Sequence, residues 1–551
     1  MMVRSNFFGP VVAVTLIILI SAVCDATTCE ASVPPQRQPV KKLEQAAALV
    51  AEGEAALKKG DENSAQNLFR RAIETDPSNE LAHTYLGILA DRAGDLAEAE
   101  RHFAAAAIAT PTSASARNNH GAILLQLGHK DQAAKQFEVS LRLDPSQPSA
   151  LINLAQIHFE SGTTEGLRAA RDLLERARAI RPEAEIAYSL IIISLRLNDS
   201  RAAANYYRDY AAHLSAAQID VVAPQSRVEL GAALLEAGLV DEAAEELSAV
   251  LRADPANVQV IIHLARAHLA REDIPAAGRT LEGAVARGVE AAPIYAALAE
   301  IYEKSGHVEN AIPAMRLAIE RDPSNEAYRF RYGMLLTDTK APAAAVIRLQ
   351  EALNQFPKSA KLWFALGVAH FTNRKHDEAA KAFERAVEFD QQFAPAFAYL
   401  GMVYAEQGRF SEAIGLYEKA LAIDDRLVAA HYLVADAILK QPSGSTARAE
   451  EHLTRAVALD QSFTPARLEL AKLLFRTNRM ADAASQLERI VALEPKLAEA
   501  HYQLGRVYQR LKRTAEAEAA FATFKQLSDG QQEQALNERR EIARRLANVR
   551  F

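Results

Sequence analysis

The sequence predicts an all-α fold, a linear stack of about fourteen helix pairs, and three recurring features predict it. A small residue and an alanine twelve positions later return together, most often every 34 residues, as Gly367 with Ala379 and Gly401 with Ala413 do. A glycine or asparagine often stands between the two, and Asp-Pro closes several periods. No stretch alternates with period two strongly enough to compete for a strand. At 551 residues the chain exceeds the ~250–300 at which a single core stops growing, and the period selects an array over separate domains.

The amino terminus differs in kind. Arg4 precedes an apolar run from Val11 to Val23, with small and polar residues after it, which reads as a secretory signal peptide over residues 1–26. The run is short for a membrane span, which needs ~20 residues. Cleavage is expected after Ala26, with Cys24 at minus three; the alternative is an uncleaved anchor. A lipobox reading of Cys24 fits Ser21-Ala22-Val23 poorly, because the residue before the cysteine is branched. Cys29 is the other cysteine, so no disulfide framework is built. Residues 27–45, with Pro34, Pro35 and Pro39, form a solvated linker and helix lead-in.

With the small residue of the first helix at position 8 and the alanine of the second at position 20, repeats begin near Ala46, Glu80, Ala114, Pro148, Glu185, Pro224, Val258, Ala292, Glu326, Ala360, Ala394, Val428, Thr464 and Ala498. Small groups at two fixed places let paired helices approach, and a large group at position 24 fills the space beside them: Phe69, Phe103, Phe137, Phe383, Tyr417 and Phe521. Position 15 is expected to be left-handed, with Gly60, Gly94, Gly128, Gly162, Gly238, Gly306, Gly408 and Asn478 there. Asp76-Pro77, Asp144-Pro145, Asp254-Pro255 and Asp322-Pro323 end second helices, since proline cannot continue them. Repeats one to four thus occupy 46–184 and repeats six to fourteen 224–524. The fifth, 185–223, is degenerate, with Ile192 in the small position, Arg208 in the large one and five extra residues, and it reads equally as a hinge or as a loop insertion with intact packing. Residues 525–551 read as a charged C-terminal capping helix, with a basic docking tail as the alternative.

Trp363-x2-Leu366-Gly367-x2-His370 followed by Ala379-x3-Phe383-x2-Ala386, and the same series one period later from Phe397 to Ala420, resemble the tetratricopeptide repeat (TPR). The resemblance covers residues 46 to about 524 and implies a right-handed superhelical solenoid whose concave groove binds proteins. Two known binding modes of the family match weakly. The carboxylate clamp is absent, because Thr84 and Ile88 precede Asn119 while Ser149 and Asn153 follow it. Of the asparagine ladder by which long superhelical members grip peptide backbone, Asn119 and Asn153 alone are present.

A net charge of −7, from 63 basic and 70 acidic residues well mixed along the chain, gives no basic face for nucleic acid. Fourteen histidines invite a metal or catalytic reading, yet His83, His431 and His501 fall at position 4 and His158, His268 and His370 at position 11, where the repeat places bulky groups inside its helix pair. His263 and His268 are five apart, not the spacing that aligns ligands on a helix face. No phosphate loop, nucleophile elbow or dinucleotide fingerprint is present, so no enzyme, cofactor or metal site is expected.

The expected site is the stripe at positions 2, 5, 9 and 12 of the first helices, which in this family lines the groove. In repeats nine to twelve it carries Phe330, Met334, Phe364, Val368, Phe371, Met402, Tyr432 and Leu439. Contiguous exposed apolar surface marks a binding site; the bland alternative is contact between successive first helices. The expected function is a non-enzymatic scaffold or adaptor, exported to the periplasm or beyond, with protein or peptide partners and with membrane contact only through an uncleaved amino terminus. The resemblance extends to exported arrays that serve outer-membrane assembly and exopolysaccharide export. The alternative is a glycan-associated subunit of a polysaccharide export or wall-remodelling machine.

Overall fold

Alanine at position 20 sets the spacing of each helix pair. In the computed structural model Ala65, Ala99, Ala133, Ala379, Ala413 and Ala483 have no solvent exposure at all. The structure describes residues 40–216, 223–339 and 341–527, together with Ile542, Arg545 and Leu546. The expected signal peptide, residues 27–39 of the linker and most of the expected capping helix lie outside the described residues. Among the described residues there are 28 helices and no strand. They form two compact bodies, Met1–Arg287 and Gly288–Phe551, so the division falls between the seventh and eighth repeats.

First helices begin at Glu80, Ala114, Pro148, Pro224, Val258, Ala292, Glu326, Ala360, Ala394, Val428, Thr464 and Ala498, as the spacing requires. The first repeat differs, its helix running Val40–Lys58. Local chemistry fixes these starts. Asn79 accepts the Ala82 N–H at 2.9 Å, and Ser359 accepts the Leu362 N–H at 3.0 Å, each satisfying a donor that the first turn leaves open. Asp76 and Asp144 close second helices, each accepting the N–H two residues on, at 3.1 and 3.0 Å.

Position 8 is small because position 24 is large. A Cβ added to Gly367 would stand 2.5 Å from the Phe383 ring, and one on Gly401 would stand 2.6 Å from that of Tyr417. The turn after the first helix is left-handed at every glycine expected there and at Asn478. Glu272, Arg374 and Lys512 also adopt it, with φ of 60°, 57° and 62°, without glycine's freedom.

The fifth repeat requires a correction. Its first helix runs Ala184–Arg196, one residue earlier than the spacing implied. Ala203, not Ala204, is then the fully buried alanine, and Tyr207, not Arg208, is the large residue that fills the pair. Asn198 takes the left-handed turn, with φ of 56°. Adjacent alanines concealed the slip, although Tyr207 beside Arg208 marked the earlier register. Residues of this repeat, among them Leu190, Tyr207 and Tyr210, share one apolar cluster with Leu151 and Leu174 before it and Leu230 and Ala243 after it. Glu246 and Arg227 of the sixth repeat form an ion pair at 2.8 Å with Glu246 buried, and the Tyr207 hydroxyl donates to the same carboxylate at 3.2 Å.

Position 4 does more than fill space. His83, Arg329, Trp363, His431, Arg467 and His501 each hold a ring or guanidinium nitrogen on the carbonyl six residues earlier, at 2.8 to 3.2 Å. That carbonyl belongs to the loop entering the first helix and has no helical partner, so a side-chain N–H takes its place. Opposite, position 23 often completes a polar pair: His83 with His102 at 3.1 Å, His431 with His452 at 2.9 Å, and Arg467 with Gln486 at 2.7 Å.

Candidate functional site

First helices of consecutive repeats touch from the ninth repeat to the fourteenth, so the side chains at positions 5 and 9 follow one another along a shared wall. In repeats nine to twelve that wall holds the eight apolar residues singled out above, and the structure divides them. Phe330, Met334, Phe371, Met402 and Leu439 are half-buried, packed against the core with part of each side chain toward solvent. Phe364, Val368 and Tyr432 are buried, with Phe364 only 1% exposed. The expectation of a continuous exposed strip therefore fails at these three.

The reason lies outside the helix periodicity. The last loop residue of the tenth repeat, Phe393, sits edge-on to Phe364 at 5.1 Å, and Tyr399 of the next first helix meets the same ring at 5.2 Å. Phe463 covers Tyr432 in the same way at 5.7 Å. Position 5 of the tenth and twelfth repeats is thus roofed by an aromatic from the following loop, while Val368, at position 9, is buried in the same apolar cluster. Phe371, further along its helix, keeps an outward edge while standing perpendicular to Tyr399 at 6.4 Å.

The wall changes character from the twelfth repeat onward. Position 9 becomes Asp436 and then Lys472. Burial raises the Asp436 carboxyl above the ordinary carboxylate range despite the Lys440 ammonium at 2.7 Å. Burial works against the Lys472 cation, and the carboxylates of Glu469 at 2.9 Å and Glu499 at 3.5 Å outweigh it, so its affinity for a proton rises. Beyond these, Arg506 lies over the Phe475 ring at 4.6 Å. An apolar surface bordered by fixed charges can select a segment by both shape and sign.

The two asparagines do not form a ladder. Asn153 donates to Asn118 at 3.4 Å, and Asn118 is buried, whereas Asn119 is half-buried beside Ile88, Asp91 and Phe103. Among the described residues no group of three or more His, Cys, Asp or Glu is placed to hold a metal ion, and no helix is long and apolar enough to cross a membrane.

Models of the tetratricopeptide repeat match residues 50–114, 119–185, 190–258 and 341–395; further models of the same repeat match 234–301 and 443–496, 394–427, and 292–325 with 498–528. The chain belongs to the tetratricopeptide repeat family. It is 26% identical over 143 residues to TPR repeat-containing protein YpiA of Bacillus subtilis, covering 26% of this chain and 34% of that protein. It is 21% identical over 165 residues to anaphase-promoting complex subunit 3 of Schizosaccharomyces pombe, covering 30% and 25%. The chain spans between 6% and 34% of the length of the curated relatives it matches. Among solved structures it is similar to the APC/C hetero-tetramer Cut9-Hcn1, with 13% identity, 84% of this chain and 96% of that one covered, and a TM-score of 0.38. It is also similar to YrrB, a TPR protein with an unusual peptide-binding site, with 22% identity, 32% and 91% coverage, and a TM-score of 0.29. The helix pairs described above are thus TPR repeats, and such repeats serve protein–protein interaction.

Proposed function

We propose that this TPR protein is a non-enzymatic scaffold of an exported compartment, and that it takes protein or peptide segments on the first-helix wall of repeats nine to twelve. The observation that carries the reading is the alignment of Phe330, Met334, Phe371, Met402 and Leu439, all half-buried, on successive first helices that touch one another. Aromatic and methionine side chains of this kind adapt to an apolar partner and dominate the interfaces they enter. Export rests on the apolar run from Val11 to Val23 and the small residues after it.

Cross-linking in cells followed by capture of the tagged full chain tests the wall. Phe371→Ala with Met402→Ala should lower recovery of cross-linked protein at least tenfold while leaving helix content unchanged. Unaltered recovery, or binding of purified polysaccharide with no protein captured, would overturn the reading. Amino-terminal sequencing tests export separately: a mature terminus near Thr27 is expected, and an intact Met1 in the cytoplasmic fraction would defeat that part alone.

A further inference from the structure

The junction between the twelfth and thirteenth repeats carries an occupant from elsewhere in the chain. Asp460 ends the second helix Thr446–Leu459, and its Oδ1 takes the backbone N–H and the hydroxyl of Ser462 at 2.8 and 2.6 Å. That turn leaves Oδ2 outward, and Arg545, 85 residues later, donates to it. The same guanidinium lies over the Phe463 ring, 4.8 Å from its centroid, and Phe463 is the ring that roofs Tyr432. Ile542 and Leu546 are buried in the apolar cluster that contains Tyr432, Phe463 and Leu468. Helical residues at i, i+3 and i+4 share one face, so two aliphatic groups and one cation enter the junction together.

The seat belongs to the repeat and not to the terminus. Two repeats earlier Asp390 closes a second helix with the same turn, accepting the Gln392 N–H at 2.9 Å, and Phe393 meets Phe364 as Phe463 meets Tyr432. There the aspartate is exposed, whereas Asp460 is half-buried beneath Arg545. A carboxylate fixed by its own turn, beside an aromatic face and an apolar floor, is chemistry suited to an arginine flanked by aliphatic residues.

We propose that the Asp460–Phe463 junction is a docking site for a short amphipathic helix of the pattern Ile-x-x-Arg-Leu, and that Ile542, Arg545 and Leu546 occupy it until a partner helix of that chemistry displaces them. The inference rests on reading the first-helix wall as a partner surface, and it names both the partner's chemistry and the element that competes with it. Occupancy in cis lowers apparent affinity in proportion to the fraction of chains left open.

The test uses the full chain and a fluorescein-labelled synthetic peptide of residues 538–551, read by anisotropy. Arg545→Asp in the chain should expel its own segment and tighten binding of the unaltered peptide at least tenfold over wild type. A peptide carrying Arg545→Asp should not bind. Adding Asp460→Asn to the Arg545→Asp chain keeps an acceptor for the turn but removes the charge, and it should abolish the gain. Equal affinity of the wild-type and Arg545→Asp chains, or a gain that survives Asp460→Asn, would overturn the proposal. If Phe371→Ala with Met402→Ala abolishes partner capture while Arg545→Asp changes nothing, the docking inference falls and the wall reading stands.

Discussion

The rings of Phe364 and Tyr399 meet edge to face, centroids 5.2 Å apart and planes at 89°, across the boundary between the tenth and eleventh repeats. Phe383 and Phe393 lie against the same Phe364 ring at 5.8 and 5.1 Å, so one side chain joins two first helices, a second helix and a loop. In an array where each repeat leans only on its neighbours, such a residue carries the coupling between them.

Phe364→Ala should therefore cost about 3 to 5 kcal/mol, the range for emptying an aromatic from a core. Hydrogen exchange should quicken first in repeats ten and eleven and leave the opening repeats unchanged. Protection that stays intact in helices Ala360–Thr372 and Ala394–Glu406 would show that the ring is dispensable.

Gly367→Ala sets two effects in opposition. Helix propensity favours alanine by about 1 kcal/mol. The new methyl, however, would stand 2.5 Å from the Phe383 ring, and overpacking of this kind costs roughly 1 to 3 kcal/mol. A lower melting temperature is expected. A higher one would mean that the ring yields at little cost.

Arg374→Gly should stabilise the protein. Arg374 holds φ of 57° at a turn where seven repeats place glycine, and an L-residue there costs about 1 to 2 kcal/mol before glycine's larger entropy loss is set against it. A net gain of about 0.5 to 1 kcal/mol in urea unfolding is expected, with the same sign for Lys512→Gly. Loss of stability in both variants would place the origin of the turn elsewhere.

The His431–His452 pair should make stability fall in acid. His431 Nε2 donates to the Asp425 carbonyl at 3.0 Å, so its Nδ1 accepts from His452 Nδ1 at 2.9 Å while both rings are neutral. Burial holds both rings below the ordinary histidine range; beyond burial, Arg455 lowers His431, and His431 and Arg448 lower His452. A depressed histidine contributes stability that is present above the unfolded value of about 6.5 and is lost as pH falls toward the folded one. His431→Arg with His452→Gln copies the Arg467–Gln486 pair and removes this titration. Urea midpoints at pH 7.5 and 5.0 should differ less in that variant than in wild type, and identical differences would refute the assignment.

Much of the fold was legible because packing writes itself at fixed spacing. Gly367 answers Phe383, Gly401 answers Tyr417, and each such pair must recur wherever the helices approach in the same way. Spacing failed at the fifth repeat, where Ala203 and Ala204 both satisfy the alanine position, although Tyr207 in place of Arg208 already favoured the register that burial shows. It failed again at Phe364 and Tyr432. Helical periodicity counts residues along one element and carries no information about Phe393 or Phe463, loop residues that close over that element from the following turn.

Position 4 has a consequence for how the repeats compare with one another. Tryptophan, histidine and arginine differ in volume, aromaticity and charge, yet Trp363, His431 and Arg467 each deliver one N–H to the same backbone oxygen. At these three repeats the shared feature is a proton donor and not a shape, whereas Leu151, Ile261 and Phe397 hold the same position without one. Residues that look radically different by size or charge thus make the same hydrogen bond, whereas Phe397, which resembles Trp363 more closely than Arg467 does, has no N–H to give. Comparing repeats by size, charge or aromaticity would miss what Trp363, His431 and Arg467 share.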